Sequence, residues 1–300
     1  MAAGTSRKIS AASARAHTRK PKSKAPSKFA GIFKKLLLIC FVGFLAWVYQ
    51  ATRPPPPKRC GSTDGPPITA PRVQLKDGRY LAYKEYGVPK DKAKHKIVFV
   101  HGFGCCRHDI TSLTASLSPD IVESKGIYIV SFDRPGYGES DPDPTPSSKN
   151  IAFDIEELAD QLELGSKFYV IGFSMGGQIV WSCLKYIPNS TSGRLITNLQ
   201  FLHNQAQVVQ QGFHAIYRDL AIGFGKWEFD PTDLTNPFPE SERPNIHLWQ
   251  GDDDRLVPIE LQRYIVRQLP WIQYHELPGA GHYFPYYDGV PDSIIQALLP

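Results

Sequence analysis

The chain has 300 residues, 42% of them hydrophobic and 21% charged, which is ordinary folded-protein composition and rules out a disordered or fibrous chain. Thirteen of the 34 Lys and Arg residues precede Asp64, the first acidic residue, so the net charge of +5 divides into +13 over the first 63 residues and −8 over the rest. Basic charge confined to a tail beside an acidic remainder argues against a nucleic-acid partner. The five cysteines have neither metal spacing nor the density of a disulfide scaffold, and they do not fix the redox compartment.

Residues 1–28 are built of Ala, Ser, Lys and Arg with almost nothing to bury, and a disordered basic tail is expected there. Leu36 to Tyr49 then runs fourteen residues without a charge, whereas a bilayer asks for about 20. Extending the run to 29–51 gives that length if Lys34 and Lys35 reach back to water, with Trp47 and Tyr49 at the interface. A transmembrane anchor over 29–51 is expected, followed by a Pro-rich linker over 52–68 that contains Pro54 to Pro57. Ten basic residues precede Leu36 and three closely follow Tyr49. That bias keeps the tail cytosolic and puts the folded part in a lumen or outside the cell, where Asn189-Ser190-Thr191 would be a glycosylation site. An acid-free start rich in Arg and Ser also suits a chloroplast or mitochondrial transit peptide.

From residue 69 short β-rich runs alternate with amphipathic ones, which predicts a mostly parallel sheet flanked by helices over 69–300, an α/β fold. Strands are expected over Tyr80 to Tyr86, Ile97 to Val100, Ile127 to Phe132, Phe168 to Ile171, Ile246 to Trp249 and Ile272 to Leu277. Helices are expected over Ile151 to Leu164, Gly177 to Tyr186, Ile259 to Gln268 and Ser293 to Leu299.

Ligands of an open α/β sheet bind beyond the carboxyl ends of its strands. One such end carries Gly172-Phe173-Ser174-Met175-Gly176-Gly177 between a predicted strand and a predicted helix, the context in which Gly-x-Ser-x-Gly presents a serine on a sharp turn. A serine hydroxyl needs a base, and the base an orienting acid. Two later strands end in Gly251-Asp252-Asp253-Asp254 and in Gly279-Ala280-Gly281-His282. The order serine, aspartate, histidine, each at a strand end, points to nucleophilic acyl transfer. Neither a metal cluster nor a phosphate loop is present in the motifs, so no cofactor is implied.

These motifs resemble those of the α/β-hydrolase superfamily, over about Val73 to the end, and in detail the plant hydrolases that carry an amino-terminal hydrophobic segment. The resemblance implies that Ser174 is the nucleophile and His282 the base. The pattern Gly-x-x-Asp-x-x-Val-Pro selects Asp254 as the acid, leaving Asp252 and Asp253 as turn residues. His101-Gly102-Phe103-Gly104 resembles the loop that supplies an oxyanion-hole amide, that of Phe103, with Met175 supplying the other. Phe132 to Ser140 resembles a loop-shaping turn, and Cys105 and Cys106 read as pocket-wall residues. Serine at position 174, where epoxide hydrolases of this fold have aspartate, implies an ester substrate, a small molecule or a lipid, and a membrane-anchored serine hydrolase.

The resemblance fails in one place. Such hydrolases have a sixth strand and a helical cap after the nucleophile's helix, whereas only residues 189–204 stand here, and Leu195 to Leu202 is short and polar for a strand. A lidless open site or a gapped, poorly folding sheet is expected. The rival reading is a non-catalytic, receptor-like or inactive shortened domain.

Overall fold

The computed structural model describes residues 28–53, 55–197, 205–238 and 245–299, and the chain divides into two units, Met1–Arg53 and Pro54–Pro300. The described part of the first unit is one helix, α1 (Lys28–Thr52), about 37 Å long at 1.5 Å per residue. Its stretch Gly31–Thr52 is long and apolar enough to cross a membrane by length and composition. Residues 1–27, most of the expected tail, lie outside the described residues.

The second unit is an eight-stranded sheet in the order β1-β2-β4-β3-β5-β6-β7-β8. Its strands are β1 (Arg72–Gln74), β2 (Tyr80–Gly87), β3 (His95–Val100), β4 (Ile127–Phe132), β5 (Phe168–Phe173), β6 (Thr191–Thr197), β7 (Ile246–Gly251) and β8 (Gln273–Leu277). The first two pair antiparallel, β2 lies antiparallel to β4, and all other neighbours are parallel. Parallel strands covered on both faces bury nearly every residue, and β4 and β7 are buried along their whole length.

The helices of this unit are α2 (Asp109–Ala115), α3 (Pro119–Lys125), α4 (Ser148–Gln161), α5 (Met175–Tyr186), α6 (Gln205–Val208), α7 (His214–Phe224), α8 (Ile259–Gln268) and α9 (Val290–Leu298). Successive residues of a strand point to opposite faces, and β3 divides accordingly. Val98 and Val100 join Ile155 of α4, Ile179 of α5 and Ile265 of α8 in one core, while Ile97 and Phe99 join Ile110 of α2 and Ile295 of α9 in the other. Helix α4 starts at Ser147, whose hydroxyl accepts from the Asn150 amide at 3.0 Å, an N-cap that satisfies one of the helix's unpaired donors.

Two expectations are corrected. The sheet has no gap, because residues 191–197 form β6, which pairs with β5 on one side and β7 on the other. This strand starts four residues before Leu195, where the run judged too short and polar for a strand begins, and residues 198–202 of that run lie outside the described residues. The Pro-rich linker is also shorter than expected. The Lys58 amide donates to the Gln211 carbonyl at 3.0 Å and Cys60 is buried, so the chain packs on this unit from residue 58 onward.

Candidate active site

The parallel register sets the carboxyl ends of β3, β5, β7 and β8 along one edge of the sheet, and the loops that follow them carry Phe103, Ser174, Asp254 and His282. Ser174 stands between β5 and α5 at φ 50°, ψ −115°, a backbone conformation that side chains other than glycine adopt only under strain. The glycines on either side show why the turn is so tight. A Cβ on Gly172 would lie 2.3 Å from the Gly176 carbonyl oxygen, and one on Gly176 would lie 2.1 Å from that of Val100. Strand and helix therefore approach only through these two positions, which leaves Ser174 half-buried at the tip of the turn.

His282 and Asp254 meet across their loops, His282 Nδ1 lying 2.7 Å from Asp254 Oδ2. Asp254 Oδ2 also accepts from Gln250 Nε2 at 2.9 Å, and Oδ1 accepts from the amides of Leu256 and Val257 at 2.8 and 3.0 Å. Burial pushes the Asp254 carboxyl up, but the hydrogen bonds from His282 and the two amides outweigh it and hold the acid below its ordinary range. An ionised Asp254 fixes the imidazole with its proton on Nδ1. His282 Nε2 is then an acceptor, and it is buried without a hydrogen-bond partner among the described residues.

Asp252 and Asp253 hold the acid and base loops together. The Asp252 carboxylate accepts from the Gly279 amide at 2.6 Å, and the Asp253 amide donates to the Ala280 carbonyl at 3.0 Å. The Asp252 carboxylate thus reaches the histidine's loop rather than its own turn, and the Asp253 side chain faces solvent beside Arg255. His275 lies within β8, stacked on Trp249 at 4.1 Å.

Ser174, His282, Phe103 and Met175 all line one cavity of about 980 Å³. Its remaining walls come from α7 and residues 225–232, and from α8, with Trp181, Trp227, Phe229 and Ile265 among the apolar side chains. Met175 is the first residue of α5, where an amide has no intrahelical acceptor. Helix α7 forms one wall, and it comes close to Met175 at Gly223, where a Cβ would lie 2.6 Å from Met175 Cε. Cys105 and Cys106 do not line this cavity. Both are fully buried, and burial together with nearby carboxylates pushes the Cys106 thiol up to about 12, far from a reactive thiolate.

The sequence reading missed a buried polar network behind Phe103. Arg134, 1% exposed, donates to both oxygens of Asp219 on α7 at 2.5 and 2.6 Å. The same guanidinium donates to the carbonyls of His101 and Gly102 at 3.1 and 2.8 Å. Tyr137 donates its hydroxyl to Asp219 at 2.6 Å. Burial and the Arg134 charge drive the His101 ring well down, to a neutral imidazole. Its Nε2 accepts from the Arg134 amide at 3.0 Å, which puts the ring proton on Nδ1, 2.9 Å from the Gly102 carbonyl. One cation thus ties the loop carrying Phe103 to the cavity wall. The signal in the sequence was Asp219 itself, the only acid in the apolar run of α7.

Residues 97–196, which include the Phe103 loop and Ser174, match the family model described as the alpha/beta hydrolase family. The folded unit has the α/β-hydrolase fold. Among solved structures, this chain is similar to a thermophilic esterase from Thermogutta terrifontis, with a TM-score of 0.57 and 19% identity over 76% of this chain and 97% of that one. An esterase from Exiguobacterium antarcticum gives 0.57 and 16% over 77% and 99%. Among curated proteins it is similar to lysophosphatidylserine lipase ABHD12 of Bos taurus, 22% identical over 201 residues, which are 60% of this chain and 50% of the relative. It is also similar to epoxide hydrolase 2 of Siraitia grosvenorii, 26% identical over 131 residues, 41% and 38% of the two chains. The matches thus span half or less of these curated relatives.

Proposed function

We propose that this chain is a membrane-anchored serine hydrolase that cleaves carboxylic esters of small molecules or lipids. The observation that carries the reading is the pairing of two features in one cavity. Ser174 is held on a strained turn, and His282 is fixed by Asp254 on one nitrogen while its other nitrogen is left buried and unpartnered. In this reading His282 Nε2 takes the Ser174 proton as Oγ attacks the ester carbonyl, and the amides of Phe103 and Met175 receive the oxyanion. His282 then protonates the departing alcohol, and water releases the acyl group from Ser174 by the reverse sequence. Asp254 keeps its charge throughout and stabilises the imidazolium.

Several further observations support the reading. Two solved relatives are named esterases and one curated relative a lysophosphatidylserine lipase. The cavity volume lies in the range of ligand sites, and its walls are mainly apolar. Helix α1 supplies a segment of spanning length, and the basic residues before it favour a lumenal or extracellular hydrolase unit.

The test is reaction of the full chain with a fluorophosphonate, which labels only an activated serine. The wild-type chain is expected to react and Ser174→Ala is not. Asp254→Asn should keep the fold and retain about one part in 10⁴ of the rate. A well-folded wild-type chain that stays unlabelled would overturn the proposal in favour of a binding role.

A further inference from the structure

Helix α7 carries large apolar side chains on both sides, Ile216 and Ile222 packing inward against the cores. Its inward face carries Ala215 and the ion-paired Asp219, both buried. Phe213, Tyr217, Leu220 and Phe224 point outward, 58, 53, 41 and 82% exposed. The spacing of four, three and four residues sets all four on one stripe of a helix, and the remaining residue on that side is Ala221, also exposed. A surface helix ordinarily turns its charged side chains to water. Contiguous exposed aromatic and aliphatic side chains mark a surface with a partner.

Two observations identify the occupant. First, Leu220 and Phe224 also line the Ser174 cavity, together with exposed Leu256, Leu261 and Tyr264. The stripe therefore runs into the mouth of the site, where a rigid protein partner would block entry and an acyl-chain medium would not. Second, the amide of Lys58 is tied to the carbonyl of Gln211, two residues before the stripe begins. Five residues, Arg53 and Pro54 to Pro57, separate Lys58 from Thr52, the end of the helix long and apolar enough to cross a membrane. At about 3.1 Å per residue the six steps from Thr52 to Lys58 reach about 19 Å, a tether short enough to give the stripe a high local concentration near any bilayer holding α1.

We infer that the Phe213-Tyr217-Leu220-Phe224 stripe docks into the lipid bilayer, so that ester substrates enter the Ser174 cavity from the membrane by their acyl chains. The inference rests on the anchored-hydrolase reading above and adds to it the route of entry and the chemical class of substrate, an ester dissolved in lipid. Aromatic and aliphatic side chains on one helical face are the groups that settle at the boundary of headgroups and acyl chains. Among the described residues the cavity lining is mainly apolar, with Asp230 as its carboxylate, which suits the apolar part of such a lipid.

The experiment uses the full chain reconstituted in phosphatidylcholine vesicles, with an environment-sensitive fluorophore on single cysteines and spin-labelled phosphatidylcholine as quencher. The native exposed Cys40 reports on α1. In a Cys40→Ser background, Tyr217→Cys reports on the stripe. Lys167→Cys, exposed just before β5 at the sheet edge opposite Ser174, is the control. Severalfold quenching at 217 with none at 167 is the expected result. Quenching at Cys40 but not at 217 would overturn the docking and leave the anchor in place; no quenching at either would overturn both. Cross-linking of 217 to a second copy without quenching would assign the stripe to self-association. Because the readout is lipid contact, it is independent of catalysis: a quenched 217 in a chain inert to fluorophosphonate would reject the hydrolase reading alone. In an active chain, Phe213→Ser with Tyr217→Ser, neither of which lines the cavity, should lower hydrolysis of a long-chain ester in the vesicles severalfold and leave that of soluble p-nitrophenyl acetate unchanged. Equal loss on both substrates would remove membrane entry from the proposal.

Discussion

Replacing Asp219 by alanine tests whether the buried network is what holds α7 as a cavity wall. Asp219 accepts both guanidinium arms of Arg134 and the hydroxyl of Tyr137. After Asp219→Ala the Nε and Nη2 groups of Arg134 still reach the carbonyls of His101 and Gly102, but Nη1 and the Tyr137 hydroxyl lose their acceptor. Arg134 is 1% exposed, so water does not replace it. Breaking a buried pair from one side costs about 3–5 kcal/mol. In a folded unit of this size each kcal/mol moves the melting temperature by about 2–4 °C, which gives a fall of roughly 6–20 °C. The assay is a thermal melt of the full chain in detergent, followed by tryptophan fluorescence and completed as a double-mutant cycle with Arg134→Met. Arg134→Met combined with Asp219→Leu should recover part of the loss, because it removes the unpaired buried cation, while the His101 and Gly102 carbonyls and the Tyr137 hydroxyl lose their partners. A single-variant loss below about 1 kcal/mol, or a double variant no better than the single, would refute the assignment of the wall to this ion pair.

Three further outcomes follow from geometry already described. Ser174→Gly should abolish fluorophosphonate labelling yet raise the melting temperature by a few degrees, because release of about 1–3 kcal/mol of backbone strain exceeds the added freedom of the unfolded chain; an unchanged or lower melt would show that the φ 50° turn stores no strain. Gly176→Ala should destabilise by about 1–3 kcal/mol, since its Cβ would meet the Val100 carbonyl oxygen at 2.1 Å; a stabilised variant would mean that helix propensity outweighs this clash. Burial and neighbouring His275 hold His247 down to about 4 from an ordinary 6.5. The unfolded chain takes up the proton first as pH falls, so stability should drop between pH 6.5 and 4 by about 2 kcal/mol after allowance for solvent screening. Urea titrations should show a shallower slope in His247→Gln than in the wild type, the remainder coming from other depressed histidines such as His101.

Most of the fold was legible because the central strands are buried on both faces and leave unbroken β-branched runs. Ile127–Phe132 is found with its expected bounds, and α8 with the bounds read from its apolar spacing. Ser174, Asp254 and His282 were legible as motifs at strand ends, and the structure brings the last two into contact while setting the serine in their cavity. Residues 191–197 were not legible as a strand. Ser192, Gly193 and Arg194 lack the apolar signature, and this strand is specified by its neighbours, pairing with β5 and β7. Helices α2 and α3 escaped for another reason. Each has seven residues, too few to display a 3.6-residue period over two full turns. The Arg134–Asp219 pair joins residues 85 apart in sequence, and no local pattern encodes that distance.

The order of parts along β5, β6 and β7 has a consequence for how this scaffold can diversify. Ser174 and the Phe103 loop precede β6, while Asp254 and His282 follow the start of β7. Everything from residue 198 to residue 245 is a single uninterrupted insert between two paired strands, and α7 with its outward stripe is encoded inside it. That insert is a cassette. Its two ends are fixed by the ladder, so it can be lengthened, shortened or grafted without shifting the strand register, provided the graft keeps an acid where Asp219 pairs with Arg134. Exchange of this one segment on those terms should therefore change which molecules reach Ser174 and leave Ser174, Asp254 and His282 in place.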